Sequence, residues 1–193
     1  FHLSNLQPVR GTHDLLADDC RLHRHVETVA RDTSELYGFD EVATPIFEFT
    51  DVFARTLGDT SDIVTKEMYT FETKGGESIT LRPEGTAGIA RAFISNGLAQ
   101  HVPLKLFYHG PMFRHERPQK GRQRQFHQVG VESIGSGSPQ ADVEVIALGY
   151  KILNQLGLAK EVNLEINSLG DSESRANYRN VLLEYFTKHE SSL

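Results

Sequence analysis

Two long strand-like runs, LKLFYHGPMFR at 104–114 and RQFHQVGVESI at 124–134, stand on either side of a polar basic loop. That pair constrains the fold most, because two such runs around a loop read as an antiparallel hairpin and not as part of a βαβ winding. A second hairpin is expected from EMYTF (67–71) and SITL (78–81), joined by ETKGGE with its Gly-Gly turn. With a helix before these strands and helices after them, the expected class is α/β of the α+β type, an antiparallel sheet flanked by helices.

The helices follow from periodicity. Leu16, Cys20, Val26, Val29, Ala30, Thr33, Leu36 and Tyr37 recur at helical spacing, predicting one amphipathic helix over 16–37 with Gly38 as its stop. FDEVATPIFE then predicts a strand broken at Pro45, a residue suited to an edge. RPEGTAGIARAFISNG predicts a helix with Pro83 near its first turn, Glu84 where the helix dipole favours a carboxylate, and Gly97 at its end. PQADVEVIALGYKILNQLG predicts another helix, EVNLEINS (161–168) a strand, and DSESRANYRNVLLEYFTKH a last helix.

Composition narrows the function classes. The chain of 193 residues is acidic, net −6, with 20 Lys+Arg against 26 Asp+Glu. That balance speaks against a general nucleic-acid coat and makes any such contact local. No apolar run approaches the roughly 18 residues of a membrane span, and no signal-peptide pattern opens the chain. The single Cys20 has no internal disulfide partner, which fits a reducing, cytoplasmic setting. No GxxxxGK[ST] or GxGxxG occurs, and the nine histidines show no ligand spacing with a carboxylate or the cysteine, so no protein-held metal is expected.

Against that acidity, FRHERPQKGRQRQFHQ (113–128) gathers five of the cations with one acid. Alternation along the second strand puts Arg124, Phe126, Gln128, Gly130, Glu132 and Ile134 on one face and Gln125, His127, Val129, Val131 and Ser133 on the other. The two valines place the second face on the core. The first face is then either the wet side of a half-buried sheet or a site: an aromatic ring for a base, arginine forks at 114, 122 and 124 for phosphates, Gln128 and Glu132 for a cationic ligand, and Gly130 where something approaches closely.

These stretches together resemble class II aminoacyl-tRNA synthetases, specifically the histidyl-tRNA synthetase family. VRGTHDLL resembles that family's start, and YGFDEVATPIFE its first class motif at the dimer interface. TLRPEGTAG resembles its amino-acid-binding loop, and GPMFRHERPQKGRQRQFHQVGVE its second class motif; LEINSLGDSESRANYR also fits. The resemblance implies a histidine–tRNA ligase that uses ATP, with Mg²⁺, to activate L-histidine as histidyl-adenylate with release of pyrophosphate, and transfers the histidyl group to tRNA(His). It implies that Arg114 is catalytic, between the ATP α-phosphate and the substrate carboxylate. Arg122 and Arg124 would hold phosphates and Phe126 would stack on adenine. Glu84, Gly85, Thr86 and Gln128 would surround the histidine ammonium, Glu132 would accept from the imidazole, and Arg117 and Gln119 would meet the tRNA acceptor end. It implies a homodimer through 16–48.

The third class motif, the histidine-specific loop and the anticodon-binding domain have no counterpart in residues 1–193, so the chain is expected to be the N-terminal portion of the catalytic core and inactive alone in aminoacylation. A rival with the same fold is the non-catalytic regulatory subunit of ATP phosphoribosyltransferase in histidine biosynthesis, against which the retained HERPQKGRQRQF loop speaks. A bare RNA-binding module fits poorly with an acidic chain.

Overall fold

In the computed structural model, residues 6–57, 67–168 and 170–190 are described. The long predicted helix is α1 (Asp18–Leu36), ending where Tyr37 and Gly38 turn the chain. Pro45 does more than break a strand: the chain before it forms β1 (Asp40–Glu41) and after it β2 (Phe47–Phe49), in two different sheets. A two-turn helix that periodicity did not reveal, α2 (Thr50–Leu57), follows directly. The short hairpin is β3 (Tyr69–Glu72) and β4 (Ser78–Leu81), and α3 (Thr86–Ser95) begins three residues later than its proline suggested. The long hairpin is β5 (Leu104–Phe113) and β6 (Gln125–Ile134), followed by α4 (Pro139–Gln155).

Two three-stranded sheets result. One has the order β1-β5-β6, with β5 and β6 antiparallel and β1 parallel to β5; the other is antiparallel in the order β2-β4-β3. The expected antiparallel sheet flanked by helices is present, divided in two and with one short parallel edge.

The long hairpin is covered on both faces, which corrects the expected split into a core face and an open face. Phe107 and Val131 pack with Ala30, Phe39 and Leu148 under α1 and α4. On the other face Leu106, Tyr108, Met112, Phe126 and Ile134 pack against Ile89 of α3. A fully buried side chain such as Phe39 or Phe107 contributes roughly 1.5–3 kcal/mol. Val129, assigned to the core by alternation, is instead over a third exposed. Arg31 Nε donates to Glu41 Oε2 at 2.8 Å, tying α1 to β1 and holding the Glu41 carboxyl below its usual range.

Residues 160–193 form a separate compact unit. Its helix α5 (Ser172–Lys188) is capped by Asp171, whose Oδ1 accepts from Ser174 N at 2.7 Å. The strand expected over 161–168 does not form: the described residues there make no ladder, and Val162, Leu164 and Ile166 stay exposed. A strand is defined by its neighbour, and alternation alone supplies none. Among the described residues no helix is long and apolar enough to cross a membrane.

Candidate functional site

The N-terminus of α3 organises one half of the site. Its first amides have no partner within the helix, and Glu84 supplies one: Oε2 accepts from Thr86 N at 2.5 Å and Oε1 from Ala87 N at 2.9 Å. Glu84 is thereby buried, 8% exposed. The neighbouring Thr86 turns its hydroxyl toward β6 and donates to Glu132 Oε1 at 2.7 Å. Burial pushes the Glu132 carboxyl up, the Thr86 hydroxyl opposes this, and the nearby Glu84 charge adds to it. Among the described residues neither carboxylate forms an ion pair. Two buried or half-buried acids without a counter-ion favour a cationic guest. On the same face, Gln128 Oε1 is buried with no hydrogen-bond partner among the described residues. That acceptor suits a ligand N–H, since leaving it unmet is costly.

Tyr108 closes the floor of this half. It stands opposite Gly130 across the hairpin, and a Cβ added at Gly85 or at Gly130 would overlap its ring. The close approach foreseen at Gly130 is therefore made by this ring, and Gly85 is its second neighbour. Tyr108 is 7% exposed. Burial first, then the Glu132 charge, pushes its phenol up to about 12, so it stays a neutral hydroxyl. Alternation along β6 did not identify it; the hairpin register, which sets a bulky ring opposite a glycine, could have.

The basic loop forms the other half. Arg114, at the end of β5, donates from Nε to the Pro83 carbonyl at 2.9 Å, and its guanidinium lies 5.2 Å from the Phe126 ring centre. It therefore joins the Glu84–Thr86 turn to the loop. Glu116, the one acid of the stretch, had no assigned role, yet it is the hub. Its Oε2 accepts from Arg122 Nη1 at 3.2 Å, its Oε1 lies 3.9 Å from Arg114 Nη1, and its backbone carbonyl accepts from Arg124 Nε at 3.2 Å.

The expected phosphate-binding set is divided. Arg114, Arg122 and Phe126 line one cleft of about 530 Å³ together with Glu67 and Glu116. Arg124 and Arg117 line a neighbouring recess of about 390 Å³ with Arg10 and His115. Arg124 is also held by the N-terminal segment, donating from Nη1 to Arg10 O at 3.3 Å. Phe126 is only partly free, one side packed on Ile89, Tyr108 and Met112. Gln119 sits at the exposed loop tip, bridged to Arg122. His127 points to the far side and meets His23 edge-on at 4.8 Å, where burial holds its imidazole down.

A sequence profile described as histidyl-tRNA synthetase matches residues 11–171. The histidine–tRNA ligase of Rhodospirillum rubrum is 68% identical over 99% of this chain and 46% of its own length. That of Gluconacetobacter diazotrophicus is 61% identical over the same shares. Thus the chain spans about half the length of the curated relatives it matches. Among solved structures, apo S. aureus histidyl-tRNA synthetase superposes with a TM-score of 0.75 at 40% identity, covering 97% of this chain and 44% of that one. A Bacillus halodurans structure described as an ATP phosphoribosyltransferase regulatory subunit/histidyl-tRNA synthetase gives 0.69 at 30% identity, covering 80% and 39%.

Proposed function

The chain belongs to the histidyl-tRNA synthetase family, and from that premise we propose that the protein carrying it is a histidine–tRNA ligase that activates L-histidine with ATP and transfers it to tRNA(His). Residues 1–193 are the N-terminal portion of its class II catalytic core. The supporting observation is the position of Arg114, anchored on the Pro83 carbonyl beside Glu84 while it lines the cleft that holds Arg122 and Phe126.

In this reading the histidine ammonium lies near Glu84, Thr86 and the unpaired Gln128 Oε1, over the floor made by Gly85 and Tyr108. The imidazole donates to Glu132. An apolar amino acid would leave that carboxylate desolvated and unmatched, which is the basis of discrimination. ATP would enter this cleft as its Mg²⁺ complex, with Arg122 in the cleft and Arg124 from the neighbouring recess holding the phosphates, Phe126 stacking the adenine and Arg114 meeting the α-phosphate. Arg114 then sits between two anions that must meet. It offsets their repulsion and stabilises the charge that develops as the carboxylate oxygen attacks phosphorus and pyrophosphate leaves. Arg117 and Gln119 meet the acceptor end of the tRNA. The protein works in the cytoplasm as a homodimer through 16–48, a reading supported by the exposed Leu22, Leu36, Ile46 and Phe47.

The test is amino-acid-dependent ATP–pyrophosphate exchange by the complete reading frame across the twenty amino acids. Exchange is expected with histidine alone, and Arg114→Ala should lower it by about 100-fold or more. Histidine binding with no exchange would turn the assignment to the regulatory subunit. The 193-residue chain alone should not charge tRNA; charging by it would refute the fragment reading.

A further inference from the structure

Arg82 opens the RPEGT stretch, directly before the residues assigned to histidine, and has no role so far. It is 8% exposed, and among the described residues no carboxylate pairs with it. A buried cation without a counter-ion is costly, so its neutral partners have to compensate. Nε donates to Pro111 O at 2.9 Å, and Nη1 donates to Thr44 O at 3.0 Å and approaches Thr44 Oγ1 at 3.4 Å. Its own amide donates to Ile46 O at 2.9 Å, and its carbonyl accepts from Phe113 N at 2.9 Å. Gly110, with φ +144°, leaves room for the guanidinium; a Cβ there would lie 2.5 Å from Nη2.

Three segments therefore meet on one side chain: the connection between β1 and β2, the end of β5, and the turn before α3. Two of these carry the parts that must be aligned. Pro111 stands three residues before Arg114 on β5, and Pro83, the residue after Arg82, offers the carbonyl that holds Arg114 Nε. We infer that Arg82 is a positioning residue for Arg114, fixing the turn against β5 so that the Pro83 carbonyl aims the Arg114 guanidinium between the two halves of the site. Its role in turnover rests on the ligase reading above. Lysine cannot replace it, because a single ammonium lacks the planar fork that reaches Pro111 and Thr44 at once.

The experiment compares the complete protein with Arg82→Lys, Arg114→Lys and the double variant. A misplacement of this kind costs about 10- to 100-fold in turnover, so Arg82→Lys should slow histidine-dependent exchange by that factor while remaining folded. Because the effect passes through Arg114, the double variant should be no slower than Arg114→Lys alone, within about threefold. Multiplying losses, or unchanged exchange in Arg82→Lys, overturns the proposal. A second readout needs no turnover. The Arg114 Nε–H signal in ¹⁵N-arginine-labelled protein, assigned by its absence in Arg114→Lys, should be protected from solvent exchange in the wild type and lose protection in Arg82→Lys. Persistent protection overturns the inference. Wild-type protein without exchange refutes the ligase reading and leaves the decision on Arg82 to this signal. If Arg82→Lys does not fold, Gly110→Ala crowds the same guanidinium with one methyl and is read in the same two ways. Failure of both to fold assigns Arg82 to the fold and overturns the positioning role.

Discussion

Gly130 and Glu132 show how much single positions on β6 are constrained. The Gly130 Cα faces the Tyr108 ring, so Gly130→Ala forces the ring or the strand to move. Overpacking of this kind costs about 1–3 kcal/mol, to be measured by urea denaturation with Gly137→Ala, whose added Cβ meets nothing, as the control. Equal stability of the two variants would contradict the ring position. Glu132 gives a pH-dependent expectation. Burial raises its folded pKa above the ordinary 4.5, so the folded state holds the proton more tightly than the unfolded chain. Its contribution is then most favourable below pH 4.5 and is lost as pH rises through the raised value. Glu132→Gln keeps an acceptor for Thr86 without the charge. Its urea midpoint should exceed the wild type's at pH 7 and match it near pH 4, while histidine selectivity declines. Parallel midpoints at both pH values would exclude the linkage.

At the level of elements, the second sheet is held by a chain of hydroxyls. The fully buried Thr80 on β4 lies 2.9 Å from Thr50 Oγ1 and 2.8 Å from Thr70 Oγ1. Thr80→Val keeps the shape and removes both bonds, so it should destabilise the protein by about 1–3 kcal/mol, read as a lower thermal midpoint. Elements with local signals were legible in the sequence: α1 and α4 lie where a 3.6-residue period puts them, the long hairpin where its two strand-like runs flank the basic loop, and the short hairpin where its Gly-Gly turn does. The two-turn α2 is too short for a period to emerge. The division into two sheets at Pro45 depends on which neighbour each half of the FDEVATPIFE run finds, and the failed strand at 161–168 had the right pattern without a neighbour. Of the candidate site, the sequence named residues that do meet, since Glu84, Thr86 and Glu132 converge and Arg114 touches Phe126, but it did not show that Arg124 and Arg117 line a separate recess. The supports of the site were not legible, because Arg82, Tyr108 and Glu116 act through contacts between segments far apart in the chain.

For the whole molecule, the segment 16–48 leaves several large apolar side chains exposed in the isolated chain. Leu36 is 80% exposed and Phe47 56%, more than single scattered positions would suggest when Leu22 and Ile46 join them. In the complete protein, Leu36→Asp combined with Phe47→Asp should weaken self-association by about 30-fold or more, the scale of a central interface residue. Sedimentation should show the wild type at twice the monomer mass and the variant shifting toward one. A monomeric wild type would remove the dimer from the proposal. With net acidity and one basic loop, the proposed tRNA contact through Arg117 is the salt-sensitive one, and added salt should weaken it more than the proposed histidine binding.

The Tyr108 ring, lodged between Gly85 on one segment and Gly130 on another, has a consequence for descent as well as for stability. The three positions are sterically coupled. A lineage that changes either glycine meets a collision while the ring remains, and one that trims the ring first opens a hollow beside Glu132 and Thr86. Single-step paths through this corner therefore lead downhill in fitness from either side. Drift at these positions should come as paired replacements, tyrosine with glycine, while the surrounding surface varies freely.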